Sequence, residues 1–187
     1  MPLKPGRVRI IAGEWRSRVI PIPQGVELRP TTDRIRETLF NWLSPYIEDA
    51  RCLDVCSGSG ILAFESLSRG AAHATLIDNE YSVSQHLQQQ AALFKTTQAE
   101  IVCADVVQWL AKPATQKFEI AFVDPPFASL LWEPICHHLE NNNWLAPNAL
   151  IYLEMPTQQK LQLPAHWKAL KQKRAGNVNY ELWTNAN

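Results

Sequence analysis

Leu53-Asp54-Val55-Cys56-Ser57-Gly58-Ser59-Gly60 decides the fold. An apolar run closes on an acid, two glycines follow two residues apart, and Ile61-Leu62-Ala63-Phe64 continues with a helical apolar pattern. Glycine at such a turn lets the backbone bend sharply and approach a ligand with no Cβ in the way. Strand, glycine turn and helix form the first step of a doubly wound sheet, whose ligands bind beyond the carboxyl ends of the strands. From Arg51 onward strand and helix patterns alternate. Strands are expected at 51–55, Ala74–Asp78, Glu100–Cys103, Phe118–Val123 and Ala149–Glu154, and helices near 60–69, 81–94, 105–111 and 130–140. Two last strands, 168–175 and 178–184, meet at Gly176-Asn177, an acceptable hairpin turn. Five strand–helix steps and a closing hairpin predict an α/β, Rossmann-like seven-stranded sheet, largely parallel, with helices on both faces and an antiparallel edge.

Upstream, Arg7-Val8-Arg9-Ile10-Ile11 alternates basic and apolar, Gly13-Glu14 turns, and Trp15 to Ile22 alternates again. This predicts a small N-terminal β-hairpin with one basic face. Pro21, Pro23 and Pro30 bracket an extended linker. A helix follows near Thr32 to Leu43, with Thr31, Thr32 and Asp33 as cap candidates and Ser44-Pro45 as its stop.

The cofactor end of the sheet is read from the glycine turn and the strands beside it. Asp54, Ser57, Gly58, Ser59 and Gly60 supply the turn, and the third glycine of a dinucleotide fingerprint is replaced by Ala63. Asp78, with Asn79, ends the second strand and can accept hydrogen bonds from two ribose hydroxyls; Glu80 competes for that role. Asp105 follows the third strand and can reach an adenine amino group, with Ala104 offering a backbone N–H; Asp105 is equally suited to cap the next helix. A nicotinamide enzyme is disfavoured by the missing glycine and by the absence of an obvious hydride-transfer acid–base pair.

About seventy residues after the glycine turn, Asp124-Pro125-Pro126-Phe127 follows the run Phe118–Val123. An exocyclic amine on a base is a poor nucleophile because its lone pair is delocalised into the ring. A carboxylate at Asp124 can accept one of its N–H groups and the Pro125 carbonyl the other. Consecutive prolines keep both acceptors aimed, and Phe127 can stack on a base taken out of its stack. The pairing of the two loops points to methyl transfer from S-adenosylmethionine to a nitrogen conjugated to a ring or carbonyl, with Asp124, Pro125, Pro126 and Phe127 as the catalytic set.

Composition narrows the partners. The chain has 187 residues, 46% hydrophobic and 19% charged, suited to one core with a small appendage. Nothing approaches a membrane span or a secretory signal. Cys52, Cys56, Cys103 and Cys136 lack paired spacing and read as reduced packing residues of a cytoplasmic protein, with no metal site. Net charge is zero, yet residues 1–36 carry eight Lys/Arg against three acids, and Met155 to Tyr180 adds five basic residues and no acid. Such segments, if they meet on one face, suit a polyanion; charged edge strands that block aggregation are the other reading. Arg7, Arg9, Arg16 and Arg18 are the hairpin's candidate contacts to a nucleic acid.

Arg29-Pro30-Thr31-Thr32-Asp33-Arg34-Ile35-Arg36-Glu37-Thr38-Leu39-Phe40-Asn41-Trp42-Leu43, Leu53 to Gly60, Glu65 to Ala71 and Asp124 to Phe127 together resemble the signatures of the bacterial 16S rRNA (guanine(966)-N2)-methyltransferases, in the same order and over essentially the whole chain. The resemblance implies a seven-stranded S-adenosylmethionine-dependent methyltransferase fold, divided into a basic hairpin extension (1–28) and a methyltransferase domain (29–187). It implies methylation of N2 of one guanine in a 16S rRNA hairpin loop near the decoding region. The substrate would be the small ribosomal subunit or a late assembly intermediate, and the enzyme a monomer. By the same resemblance Thr31, Thr32 and Arg34 lie beside the cofactor or target. The chain departs from the family's usual pattern at Cys56, Ser57 and Ala63, and in Asp78-Asn79-Glu80, where glutamate usually comes first. Another amino-methyltransferase, acting on a DNA base or a protein glutamine, and a non-catalytic rRNA-binding assembly factor are the alternatives.

Overall fold

The computed structural model describes residues 6–22 and 32–186. Two short strands, β1 (Arg7–Arg9) and β2 (Val19–Pro21), pair antiparallel ahead of helix α1 (Asp33–Leu43). The alternating part runs β3 (Arg51–Asp54), α2 (Ile61–Ser68), β4 (His73–Asp78), α3 (Tyr81–Leu93), β5 (Ala99–Cys103), α4 (Val106–Leu110), β6 (Phe118–Val123), α5 (Trp132–Asn141) and β7 (Leu145–Pro156). Strands β8 (Lys168–Ala175) and β9 (Val178–Thr184) close it. The seven-stranded sheet has the order β5-β4-β3-β6-β7-β9-β8. Pairs from β5 to β7 are parallel, and β9 pairs antiparallel with both β7 and β8. The α/β Rossmann-like architecture expected from the glycine turn is the one present. The chain steps outward from β3 to β5 and then returns to lay β6 against the other side of β3. That reversal places the crevice between the loops after β3 and β6.

Alternate positions of each strand feed the two faces. Cys52, Ile120, Phe122 and Tyr152 join one apolar cluster with α1, α2, α3 and the hairpin. Leu53, Ala121, Val123 and Leu153 join the other, under α4 and α5. Helix α1 buries Ile35, Leu39, Phe40 and Leu43, positions that fall on one side of a 3.6-residue period. Pro134 lies in the first turn of α5, where its missing N–H costs no intrahelical bond.

The hairpin differs from the sequence expectation of two long strands. Its ladder is short, because Gly13 turns with φ +85° directly against α2: a Cβ there would lie 1.7 Å from the Ser68 carbonyl oxygen. Trp15 leaves the strand path and is buried, stacked on Phe94 (centroids 4.6 Å apart) and edge-on to Phe64. Val8, Ile10 and Ile20 are buried in the same cluster, so the hairpin is docked on the α/β body. Strand β7 begins at Leu145 rather than Ala149, because Leu145 already pairs with Phe118 before the register shifts to Ile120 opposite Leu150. The Pro23 and Pro30 linker positions, Thr31 and the boundary near residue 28 lie outside the described residues. No helix among the described residues is long and apolar enough to cross a membrane.

Candidate active site

The turn after β3 is held by its own short polar groups. Ser57 Oγ donates to the Asp54 carbonyl (2.9 Å), and the Ser57 N–H donates to the Ile77 carbonyl of β4 (3.0 Å). The Gly60 N–H donates to the Ser57 carbonyl (2.7 Å), and Ser59 Oγ accepts from the Ile61 N–H as α2 starts. Gly60 adopts φ +75°, and a Cβ there would come within 2.6 Å of Leu87 Cδ2 and 2.8 Å of the Phe64 ring. Conformation and space both demand glycine. The Gly58 N–H donates to one oxygen of Asp78 (3.0 Å), whose other oxygen accepts the Glu80 N–H (3.0 Å). Asp78 thereby ties the end of β4 to the glycine turn.

Across the switch point, Asp124 directly follows β6 and is half-buried, Pro125 is buried, Pro126 is exposed and Phe127 is half-buried. The Pro126 carbonyl accepts both the N–H (2.8 Å) and the hydroxyl (2.6 Å) of Ser129, closing the loop into a tight turn. Phe127 stands edge-on to Trp132 (centroids 6.0 Å apart), whose indole N–H donates to the Glu154 carbonyl (2.9 Å). The second half of the loop is thereby braced against α5 and β7.

A cleft of about 940 Å³ lies between the two loops. It brings together Asp54, Ser57, Gly58, Ser59, Asp78, Asn79, Ala104, Asp105, Asp124, Pro125, Pro126 and Phe127, nearly the whole set expected from the sequence. Gly60 sits behind the wall as the N-cap of α2. Both Asp78 and Glu80 line the cleft. Asp105 lines it and also caps α4, accepting the Gln108 N–H (2.9 Å). The Ala104 N–H, expected to be on offer, is engaged instead by the Asp78 carbonyl (3.0 Å), because the bond extends the β4–β5 contact by one residue. Thr32 caps α1 by accepting from Ile35 N–H and is not among the described residues of the cleft wall. Val8, Ile22, Cys56, Leu62 and Val83 also line the cleft and were missed. The alternation Arg7-Val8-Arg9 marked Val8 as apolar, but nothing in it said which surface it would meet.

The cleft is acidic. Burial raises the Cys56 thiol, and the charges of Asp54, Asp78, Asp124 and Asp105 raise it further. The Asp54 carboxyl is pushed up to about 7, mainly by burial and next by the Asp78 charge; backbone hydrogen bonds from Ala63 and Cys56 offset this only in part. Such a floor repels a diphosphate and suits a ligand bearing positive charge. The sulfonium and ammonium groups of S-adenosylmethionine fit it, and the glycine turn leaves room for close approach. Among the described residues no group of three or more His, Cys, Asp or Glu could hold a metal ion.

Arg7, Arg9, Arg16 and Arg34 are exposed. Arg18 is exposed too, with its guanidinium 5.5 Å from the Phe94 ring centre and a long hydrogen bond to the Leu93 carbonyl (3.4 Å). Arg36, part of the basic N-terminal count, is fully buried instead, donating to the Arg9 carbonyl (2.8 Å) and pairing with Asp33 and Glu65.

The family model described as conserved hypothetical protein 95 matches residues 8–184. The ribosomal RNA small subunit methyltransferase D of Escherichia coli (strain K12) is 49% identical over 179 residues, covering 95% of this chain and 90% of the relative. The protein of the same name from Haemophilus influenzae is 44% identical over 187 residues, covering 98% and 97%. The chain belongs to the small-subunit ribosomal RNA methyltransferase D family. The solved yhhF protein of Escherichia coli superposes with a TM-score of 0.89 at 47% identity, covering 97% of this chain and 99% of that one. The family match thus runs from the hairpin to the last strand, and the described parts of the signature stretches that suggested the family (32–43, 53–60, 65–71 and 124–127) lie on α1 with its cap, on β3 with the glycine turn, on α2 with the turn after it, and on the loop after β6.

Proposed function

We propose that this chain transfers a methyl group from S-adenosylmethionine to the exocyclic N2 of one guanine of 16S rRNA, in the small subunit or a late assembly intermediate. The observation that carries the reading is the Asp124–Phe127 loop facing the glycine turn across one acidic cleft. Bound there, S-adenosylmethionine supplies an electrophilic methyl on a sulfonium. Asp78 or Glu80 would hold the ribose hydroxyls, Asp105 the adenine amine and Asp54 a cationic group.

The chain's own work is positioning. The Asp124 carboxylate accepts one N–H of the guanine amine and the Pro125 carbonyl accepts the other, drawing the nitrogen towards tetrahedral geometry. Phe127, braced against Trp132, stacks on the base. As the methyl transfers the amine becomes acidic, and its proton leaves to Asp124 or to water. Rate is gained through fixed acceptors and orientation rather than through a strong base. The hairpin arginines hold the RNA backbone. The related enzymes just described are named for rRNA, which gives the DNA-base and protein-glutamine readings no support; a cleft built for a cofactor argues against a pure assembly factor. The protein acts as a cytoplasmic monomer. The test is incubation with labelled cofactor and unmodified small subunits, followed by mapping of the label. One guanine of 16S rRNA carrying the label on N2 is expected; label in protein, or none, refutes the reading.

A further inference from the structure

We propose that the lysines of edge strand β8, Lys171 and Lys173 foremost, form a second contact for the phosphates of the RNA, on the side of the cleft away from the hairpin. This goes beyond the hairpin contact and rests on the rRNA reading of the substrate.

Every residue from Lys168 to Arg174 is exposed. Lys171 stands opposite Leu182 and Lys173 opposite Tyr180 across the β8–β9 ladder. Directly paired residues of an antiparallel ladder project to the same face. Leu182 and Tyr180 belong to the apolar cluster that includes α1 and the hairpin. Lys171 and Lys173 therefore share that face of the sheet with the hairpin, although some 150 residues separate the two segments in the chain. Lys173 is held over the sheet: its ammonium lies 5.9 Å from the centre of the Trp42 ring, which stacks on Tyr180.

Position along the strand matters as much. Both β7 and β8 run antiparallel to β9, and Pro156 and Ala175 both pair with Val178. Lys173 is thus near the end of the sheet where the Asp124–Phe127 loop opens. Three strand spacings separate β6 from β8, on the order of 14 Å, within reach of the nucleotides flanking one held in the cleft. Glu181, on the neighbouring strand, pairs opposite Gln172 on the other face, and its carboxylate accepts the Trp183 indole N–H (2.7 Å). Lysines on an edge strand also block aggregation; that role does not require them on the face that carries the hairpin, level with the Asp124–Phe127 loop, where Lys171 and Lys173 stand.

The test replaces both lysines by glutamate, K171E/K173E, which keeps the edge charged and reverses the attraction. Binding to unmodified small subunits is measured from low to moderate salt, with methyl transfer and cofactor binding alongside. The expected result is affinity lower by about tenfold or more at low salt and a salt slope shallower by roughly one for each phosphate that is no longer neutralised. Cofactor affinity and the rate at saturating subunit stay as in the wild type. K171Q/K173Q shows the same direction with a smaller effect and covers a glutamate variant that folds poorly. Unchanged affinity and slope in a folded variant overturn the β8 contact. Failure of the wild-type protein to label 16S rRNA overturns the underlying function instead, so the two failures are separable.

Discussion

The buried carboxylate of Glu65 accepts the backbone N–H groups of Ile11 (2.7 Å) and Ala12 (3.0 Å), fastening the N-terminal hairpin to helix α2. The same carboxylate takes the Arg69 guanidinium (2.7 Å) and lies 3.7 Å from Arg36, which reaches on to the Arg9 carbonyl. Ser68 completes the clamp, accepting the Trp15 N–H (2.9 Å) and donating to the Ala12 carbonyl (2.6 Å). Gly60 of the glycine turn caps the start of helix α2. The basic hairpin and the glycine turn are thus attached to one helix, and Val8 of the hairpin forms part of the cleft wall.

Removing that clamp should be costly. Glu65→Ala leaves Arg36 buried without one of its carboxylate partners, a change that typically costs about 3–5 kcal/mol. Chemical denaturation should show a loss of that order, and hydrogen exchange should quicken at Ile11 and Ala12. Glu65→Gln, which keeps an acceptor, should lose less. Wild-type protection at both amides in Glu65→Ala would show that the hairpin is held by its apolar contacts alone.

Asp54 gives a pH dependence of definite sign. With its carboxyl raised to about 7, the group is largely protonated in mildly acidic solution. Affinity for the cationic cofactor should therefore fall as pH drops through about 7, and Asp54→Asn should bind weakly with no such dependence. Stability runs the other way. The folded value lies above the unfolded one, so the group's contribution is complete in acid and lost as pH rises through about 7. Asp54→Asn should accordingly melt above the wild type at pH 8 and level with it in acid, as differential scanning calorimetry at both pH values would show.

Gly60→Ala meets two obstacles at once. An αL conformation costs an L-residue about 1–2 kcal/mol, and the new methyl would press on Leu87 and Phe64. Lower melting temperature and lost cofactor binding by calorimetry are the expected outcome.

Exposed arginines of the hairpin should act through charge. Replacing Arg7, Arg9 and Arg16 by glutamine should weaken binding to small subunits and flatten its salt dependence, with the fold unaffected. Adding Arg18→Gln should also cost some stability, because Arg18 lies over Phe94. An unaltered salt slope would remove the hairpin from the RNA contact.

What could be read in the sequence follows from how local each constraint is. Gly58, Gly60 and Asp124-Pro125-Pro126-Phe127 were legible because glycine and proline fix backbone shape within a few residues, whatever surrounds them. The alternating strand and helix patterns likewise placed every element of the sheet, with β7 extended by its pairing with Phe118. The docking of the hairpin was not legible. Trp15 is buried by Phe94, nearly eighty residues away, and Glu65 reads as a polar helix position until its partners Ile11 and Ala12 are known. Arg36 counted only as one more basic residue of the N-terminal segment, for the same reason. The Ala104 N–H depended on the register of β5 against β4, which the pattern of apolar residues does not specify to one residue.

The most direct measurement sets Asp124→Ala beside the wild type, with labelled cofactor and unmodified small subunits, and determines cofactor affinity by calorimetry in parallel. Near-wild-type cofactor binding is expected, with no label on the guanine N2 that the wild type modifies. Transfer by Asp124→Ala at a rate close to wild type would contradict the acceptor role of Asp124, because the amine would then need no acceptor at that position.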